Sequence, residues 1–196
     1  MFPFSFLWSI IMRSNLQVVG LFVFITALVA GCTTAPTTEA DRAMLNSEAE
    51  LAIRKFKLDD PTILRFFETS VGFAIFPSVG KGAIGIGGAY GKGELFQNGV
   101  VVGYCDLTQA TIGLQLGGQN YREIIFFETQ QALDEFKAER FAVSAQASAV
   151  AVKTGAAKTA KYENGVAIFV GGEAGLMAEA SVGGQKFNYV PKGTFD

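Results

Sequence analysis

The chain has 196 residues, with 16 Lys and Arg against 18 Asp and Glu, a formal net charge of −2, and no histidine. Without histidine there are no Ser-His or Cys-His nucleophile pairs and no His-ligated metal sites. The slight acidity argues against bulk attraction to nucleic acid or anionic lipid, so a negatively charged partner has to be met by a local cluster.

Val18 to Leu28 is uncharged and runs into small residues, the pattern of a signal-peptide core, and is too short to span a bilayer comfortably. Arg13 is the only basic residue ahead of it, and Met12-Arg13 would make a conventional positively charged start. We therefore expect residues 1–31 to be a signal peptide, with translation beginning at Met12. Leu28-Val29-Ala30-Gly31-Cys32 resembles a bacterial lipobox, in which small residues admit the peptidase and the cysteine thiol receives diacylglycerol. The other reading is a transmembrane anchor that ends by chance in Gly-Cys. Thr33, not Asp, follows the cysteine, as in lipoproteins passed on to the outer membrane of bacteria with two membranes. The expectation is palmitate-type acylation of Cys32, each buried methylene adding about 0.8 kcal/mol of anchoring, with the domain facing the periplasm.

Residues 32–39 hold the cysteine and the polar, proline-containing stretch Thr33-Thr34-Ala35-Pro36-Thr37-Thr38, a linker with a reach of about 15 Å. Residues 40–196 then suffice for one domain. From Glu39 to Lys57, Leu45, Ala49, Ala52, Ile53 and Phe56 recur at helical spacing, with Glu48, Glu50, Arg54, Lys55 and Lys57 opposite, which predicts an amphipathic helix. Asp60-Pro61 reads as an N-cap and first-turn proline opening a second short helix through Ile63, Leu64, Phe66 and Phe67.

After Ser70 the period becomes two. Strands are predicted at Gly72–Phe76, Ala83–Tyr90, Glu94–Cys105, Ala110–Gly117 and Arg122–Phe127. A third helix is expected over Thr129–Ala138, with Thr129 as its cap. Small-residue segments run from Phe141 to Ala160. Strands follow near Val166–Val170, Leu176–Val182 and Lys186–Val190, with Gly183-Gly184 suited to a hairpin turn. Two helices ahead of strands without βαβ alternation predict an α+β fold: an antiparallel, curved or barrel-like sheet, with the N-terminal amphipathic helices and one further helix packed on it.

In Ala83–Gly91 the alternation places Gly85, Gly87, Ala89 and Gly91 on one face, leaving nearly bare backbone. Such a face marks close approach of another element, a sharp bend or a ligand. Nucleotide motifs fail here: Tyr90 stands where a dinucleotide fingerprint needs glycine, and Gly91-Lys92-Gly93 lacks the remainder of a phosphate loop. With Cys32 acylated, Cys105 has no intramolecular partner and reads as a buried small hydrophobe.

Taken in order, Gly72-Phe73-Ala74-Ile75-Phe76-Pro77, Lys81 to Gly88, Thr111 to Gly118, Ile124-Ile125-Phe126-Phe127 and Gly175 to Gly184 resemble the SYLF-domain family, from about Ala40 to Pro191 and in its bacterial lipoprotein branch. The resemblance implies a domain without catalysis or cofactor that binds phospholipid, phosphatidylinositol-type headgroups in eukaryotic members. Some of those also bind actin, a partner an exported protein does not ordinarily meet. For a headgroup, Lys81, Lys92 and Arg122 offer cations near the bare face of Gly85 and Gly87. Solvated lysines at strand ends are the plainer reading. A rival function is an envelope scaffold that recruits a protein partner through a sheet edge or the Ala142–Ala160 stretch. An enzyme would have to use Asp106, Glu173, Glu179 or Cys105, and nothing in their spacing recommends it.

Overall fold

The computed structural model describes residues 35–84, 86–112, 119–139, 149–172 and 184–195. Helix α1 spans Glu39–Asp59; the Thr38 side chain caps it by accepting the Asp41 N–H at 3.1 Å. Its Leu45, Ala49, Ala52 and Phe56 are buried, the stripe that the helical spacing predicts. Asp60 ends it in an extended conformation, as the residue before a proline prefers. The Asp60 carboxylate then caps a 3-10 turn over Pro61–Ile63, which leads into helix α2, Leu64–Thr69.

Asp60 does more than cap. Although fully buried, it also accepts the N–H groups of Gly155 (3.0 Å) and Ala157 (2.7 Å), and the Thr62 hydroxyl at 2.7 Å. Burial works against its charged form, but the Ala157 N–H, the Thr62 hydroxyl and the Gly155 and Thr62 N–H groups outweigh it and lower its pKa.

Seven strands follow: β1 Gly72–Ile84, β2 Ile86–Gln97, β3 Val100–Ile112, β4 Gln119–Phe127, β5 Val150–Ala151, β6 Val166–Gly171 and β7 Gln185–Pro191. Helix α3, Gln130–Lys137, is capped by Thr129 and lies between β4 and β5 in sequence. The described strands form one open sheet in the order β5-β6-β4-β1-β2-β3-β7, antiparallel except for β5 beside β6. The fold is α+β, as expected.

Three strand boundaries differ from the sequence reading; in one of them the expected start at Ala110 falls inside β3, and residues 113–117 of that expected strand lie outside the described residues. The expected strand Glu94–Cys105 is broken by a hairpin at Asn98–Gly99, whose φ angles of 52° and 78° make the left-handed pair of a two-residue turn between Gln97 and Val100. The expected strand Ala83–Tyr90 is divided between β1 and β2, which pair as far as Ile84 with Ile86. Its run of small residues continued across that boundary and hid it. The expected strand Leu176–Val182 and the Gly183 half of its hairpin lie outside the described residues.

Pro77 sits inside β1, a central strand, where it cannot donate to a ladder. The strand bulges there: register shifts between Ile75 and Ser78 against β2, and between Phe76 and Val79 against β4. In a flat sheet β4 and β7 would lie about 19 Å apart, four strand spacings. Yet Gln185 on β7 donates to Glu123 on β4 at 2.9 Å, and Phe187 meets Phe76 at 5.7 Å between ring centroids. The sheet is therefore strongly curled, with an inner and an outer face.

The inner face buries Ala74, Phe76, Leu95, Leu107, Ile125 and Phe127 under Leu133 and Phe136 of α3. The outer face buries Ile75, Phe96, Ile124, Phe126 and Phe169 under Phe56 of α1 and Phe66 of α2. Rings tile this second layer: Phe73 stacks on Phe96 at 4.9 Å, and Phe66 meets Phe169 edge-on at 4.8 Å. Both cores lie between Ala49 and Tyr189, within the compact unit Thr34–Asp196, which thus has a hydrophobic core of its own, as a segment that folds alone requires.

A candidate site between the first helix and the sheet

Strand β2 divides the chemistry of the molecule. Its odd positions Gly91, Gly93 and Leu95 turn to the inner core and are buried, whereas Tyr90 and Lys92 turn outward and are exposed. At Gly93 a Cβ would lie 2.4 Å from the Ile75 carbonyl oxygen and 2.7 Å from Phe76 Cδ1; at Gly91 it would lie 2.8 Å from Val79 Cγ2. At these two positions close approach of β1, not a ligand, accounts for the bare backbone.

Outside the sheet, the first half of α1 stands off from β1 and β2 and leaves a groove of about 380 Å³. Lys92, Tyr90, Ser78 and Asn120 line the sheet wall, and Asp41, Glu48, Met44 and Leu45 line the helix wall. Pro36, buried, lines the groove as well. Across the ladders Lys92 pairs with Ser78 on β1 and Asp106 on β3, and Asp106 in turn accepts the Asn188 amide at 2.8 Å. Beneath α1, Glu94 accepts the Asn46 amide at 3.0 Å; burial raises its pKa against the pull of that bond.

A second groove, about 430 Å³, runs beside α2, lined by Arg65, Thr69, Glu128, Lys161 and Tyr162. Its polar groups are largely occupied: Arg65 donates to the carbonyls of Ala157 (2.9 Å) and Ala160, and the Thr69 and Tyr162 hydroxyls share a hydrogen bond at 3.2 Å. The groove beside α1 is the better candidate.

The residues singled out in the sequence fall in different places. Lys92 lines the groove. Arg122 faces the outer side further along β4, paired with Asp59 and with its guanidinium carbon 5.1 Å from the Phe56 ring centroid. Burial lowers the Arg122 pKa, with Asp59 opposing. Lys81 is placed by backbone register between Ala89 and Gln119, and Gly87 opposite Thr111. Gly85 and Cys32 lie outside the described residues. Asp41, Glu48, Tyr90 and Asn120 were not singled out, because their approach depends on which sheet face α1 covers. Cys105 is buried and unbonded to another cysteine; burial, followed by the charges of Asp106 and Glu94, holds its thiol well above the usual range.

A buried polar group lies on the inner face as well. Glu123 is wholly enclosed, with Gln185 on one carboxylate oxygen and no hydrogen-bond partner on Oε1. Burial raises its pKa to about 8, against the Gln185 bond. Among the described residues no group of three or more Cys, Asp or Glu side chains is placed to hold a metal ion.

Two comparisons bear on this fold. The chain is 27% identical over 160 residues to beta cell expansion factor A of Aeromonas veronii, an alignment covering 77% of this chain and 58% of that protein. The chain thus matches little more than half the length of that relative. Residues 108–189, from the end of β3 through β7, match the Ysc84 family, described as Las17-binding protein actin regulator. This match bears out the resemblance to the Ysc84, or SYLF, family over residues 108–189, somewhat less than half of the chain.

Proposed function

We propose that this chain is a lipoprotein held by acyl chains on Cys32 at the periplasmic face of the outer membrane, and that its SYLF domain binds phospholipid headgroups without catalysis. The observation that supports this reading is the place of Pro36, which is four residues from Cys32 in sequence and lines the groove that contains Lys92, Tyr90 and Asn120. A chain anchored at Cys32 would hold that groove within about 15 Å of the headgroups. The match of residues 108–189 to the Ysc84, or SYLF, family supports lipid binding at the level of the domain.

The test has two arms. Cys32→Ser should abolish incorporation of labelled palmitate. In the Thr34–Asp196 segment, Lys92→Ala should weaken co-sedimentation with phospholipid vesicles several-fold while changing stability by no more than about 0.5 kcal/mol, as expected at an exposed site. Palmitate on the serine variant would remove the anchor, and undiminished sedimentation would remove the groove. A second reading, recruitment of an envelope protein, draws on Met44, Leu51 and Leu58, which recur every seven residues on α1 and are 62%, 56% and 80% exposed. It requires a specific protein to co-purify, and to be lost with Leu51→Glu.

A further inference from the structure

The two walls of the groove carry opposite charge. The sheet wall offers one ammonium, Lys92, beside the Asn120 amide and the Tyr90 phenol; the helix wall offers two carboxylates, Asp41 and Glu48. A third carboxylate, Asp106, is the cross-strand partner of Lys92. A polyanionic headgroup would bring two or more negative charges to a place where, among the described residues, acidic groups already outnumber the lysine, and like charges at short range repel. A ligand with one negative and one positive end meets a matching group at each.

We propose that the groove reads a zwitterionic phosphoethanolamine headgroup. This rests on the lipid-binding reading above and narrows it. The phosphodiester, a single negative charge, sits at Lys92 with Asn120 and Tyr90 as neutral hydrogen-bonding neighbours. The primary ammonium, with three N–H donors, sits against the helix wall at Asp41 or Glu48, which stand two turns, about 10 Å, apart along α1. Met44, Leu45 and Pro36 supply apolar wall for the methylenes next to the phosphate. The volume, about 380 Å³, is at the small end of ligand sites and suits a headgroup, not a whole lipid. The same walls discriminate against choline, whose trimethylammonium donates no hydrogen bond. Quaternary ammonium sites are built as aromatic cages, and among the described residues Tyr90 is the one aromatic side chain lining this groove.

The experiment is co-sedimentation of the Thr34–Asp196 segment with phosphatidylcholine vesicles containing an equal fraction of phosphatidylethanolamine, phosphatidylglycerol or a phosphatidylinositol phosphate. Binding should be several-fold stronger with phosphatidylethanolamine than with the other three compositions, phosphatidylcholine alone included. Soluble glycerophosphoethanolamine should compete, whereas inorganic phosphate at the same concentration should not. The double variant Asp41→Asn/Glu48→Gln should lose the preference and bind phosphatidylglycerol at least as well. Equal binding to ethanolamine and choline vesicles, a preference for either anionic lipid, or an ethanolamine preference that survives the double variant would each overturn the headgroup assignment and leave lipid binding standing. Competition by inorganic phosphate equal to that of the glycerophosphodiester would make the groove an anion site and overturn it too. Absence of binding to every vesicle would overturn both readings together.

Discussion

At Gly91 and Gly93 the inner face of the sheet has no room even for a Cβ, whereas on the outer face the described residues leave a groove; β2 contributes to both. Toward the inside, these two glycines let β1 approach closely. Toward the outside, Tyr90 and Lys92 on the same strand stand clear of the core, and α1 crosses at a distance that keeps them open. The contrast teaches that bare backbone in a strand marks crowding here, and that the chemistry lies on the face that carries side chains. Polar burial differs too. The outer face surrounds Asp60 with four hydrogen-bond donors and Arg122 with a carboxylate and a ring, while the inner face gives Glu123 one amide.

The strongest way to break this comparison is Gly93→Val. With a Cβ forced against the Ile75 carbonyl, where backbone must yield, it should cost about 3 kcal/mol or more, or prevent folding, by denaturant unfolding of the Thr34–Asp196 segment. If the variant unfolds at the wild-type midpoint, the inner face has slack and the two faces are alike.

Next in size is the pH dependence of Glu123. Its folded pKa, about 8, lies above the ordinary glutamate value, so the native state holds a proton that the unfolded chain has released. Its contribution is full below the unfolded pKa and falls by roughly 1.4 kcal/mol per pH unit until pH passes about 8. Glu123→Gln should flatten that decline between pH 5 and 8 in urea titrations, keeping a hydrogen-bonding side chain without the charge. A variant with an unchanged slope would mean that the carboxyl finds compensation on the inner face.

The smallest expected effect sharpens the comparison. Arg122→Ala removes the ion pair with Asp59 and the contact over Phe56, about 1 to 2 kcal/mol for a half-buried arginine, and should leave vesicle binding intact. Loss of sedimentation in a folded Arg122→Ala variant would extend the binding surface along β4, away from the linker.

Elements governed by neighbours in sequence were legible. The α1 stripe, the Asp60-Pro61 start and the Thr129 cap each need only four or five residues to be recognised, and each forms as expected. The Asn98-Gly99 turn was legible too, being among the strongest local hairpin signals, but the apolar run after it drew the strand across. Glu123 was not, because the Ile124–Phe127 run that follows it is apolar on both faces and alternation cannot tell which side of such a strand is closed. The groove was legible only at Lys92. Its walls come from positions 41, 48, 78, 92 and 120, and no local period links a helix to the three strands it crosses.

The four hydrogen bonds to Asp60 have a consequence for the order in which the molecule is made. Two of them come from Gly155 and Ala157, 95 and 97 residues further along the chain. A contact of that separation closes a long loop, which is slow and entropically costly compared with anything inside α1. The apolar stripe of α1 can meet β1 and β2 before then, but the turn at Asp60 cannot be latched until the last quarter of the chain has been synthesised. Asp60→Ala should therefore slow the final step of refolding, measured by stopped-flow fluorescence, more than the first.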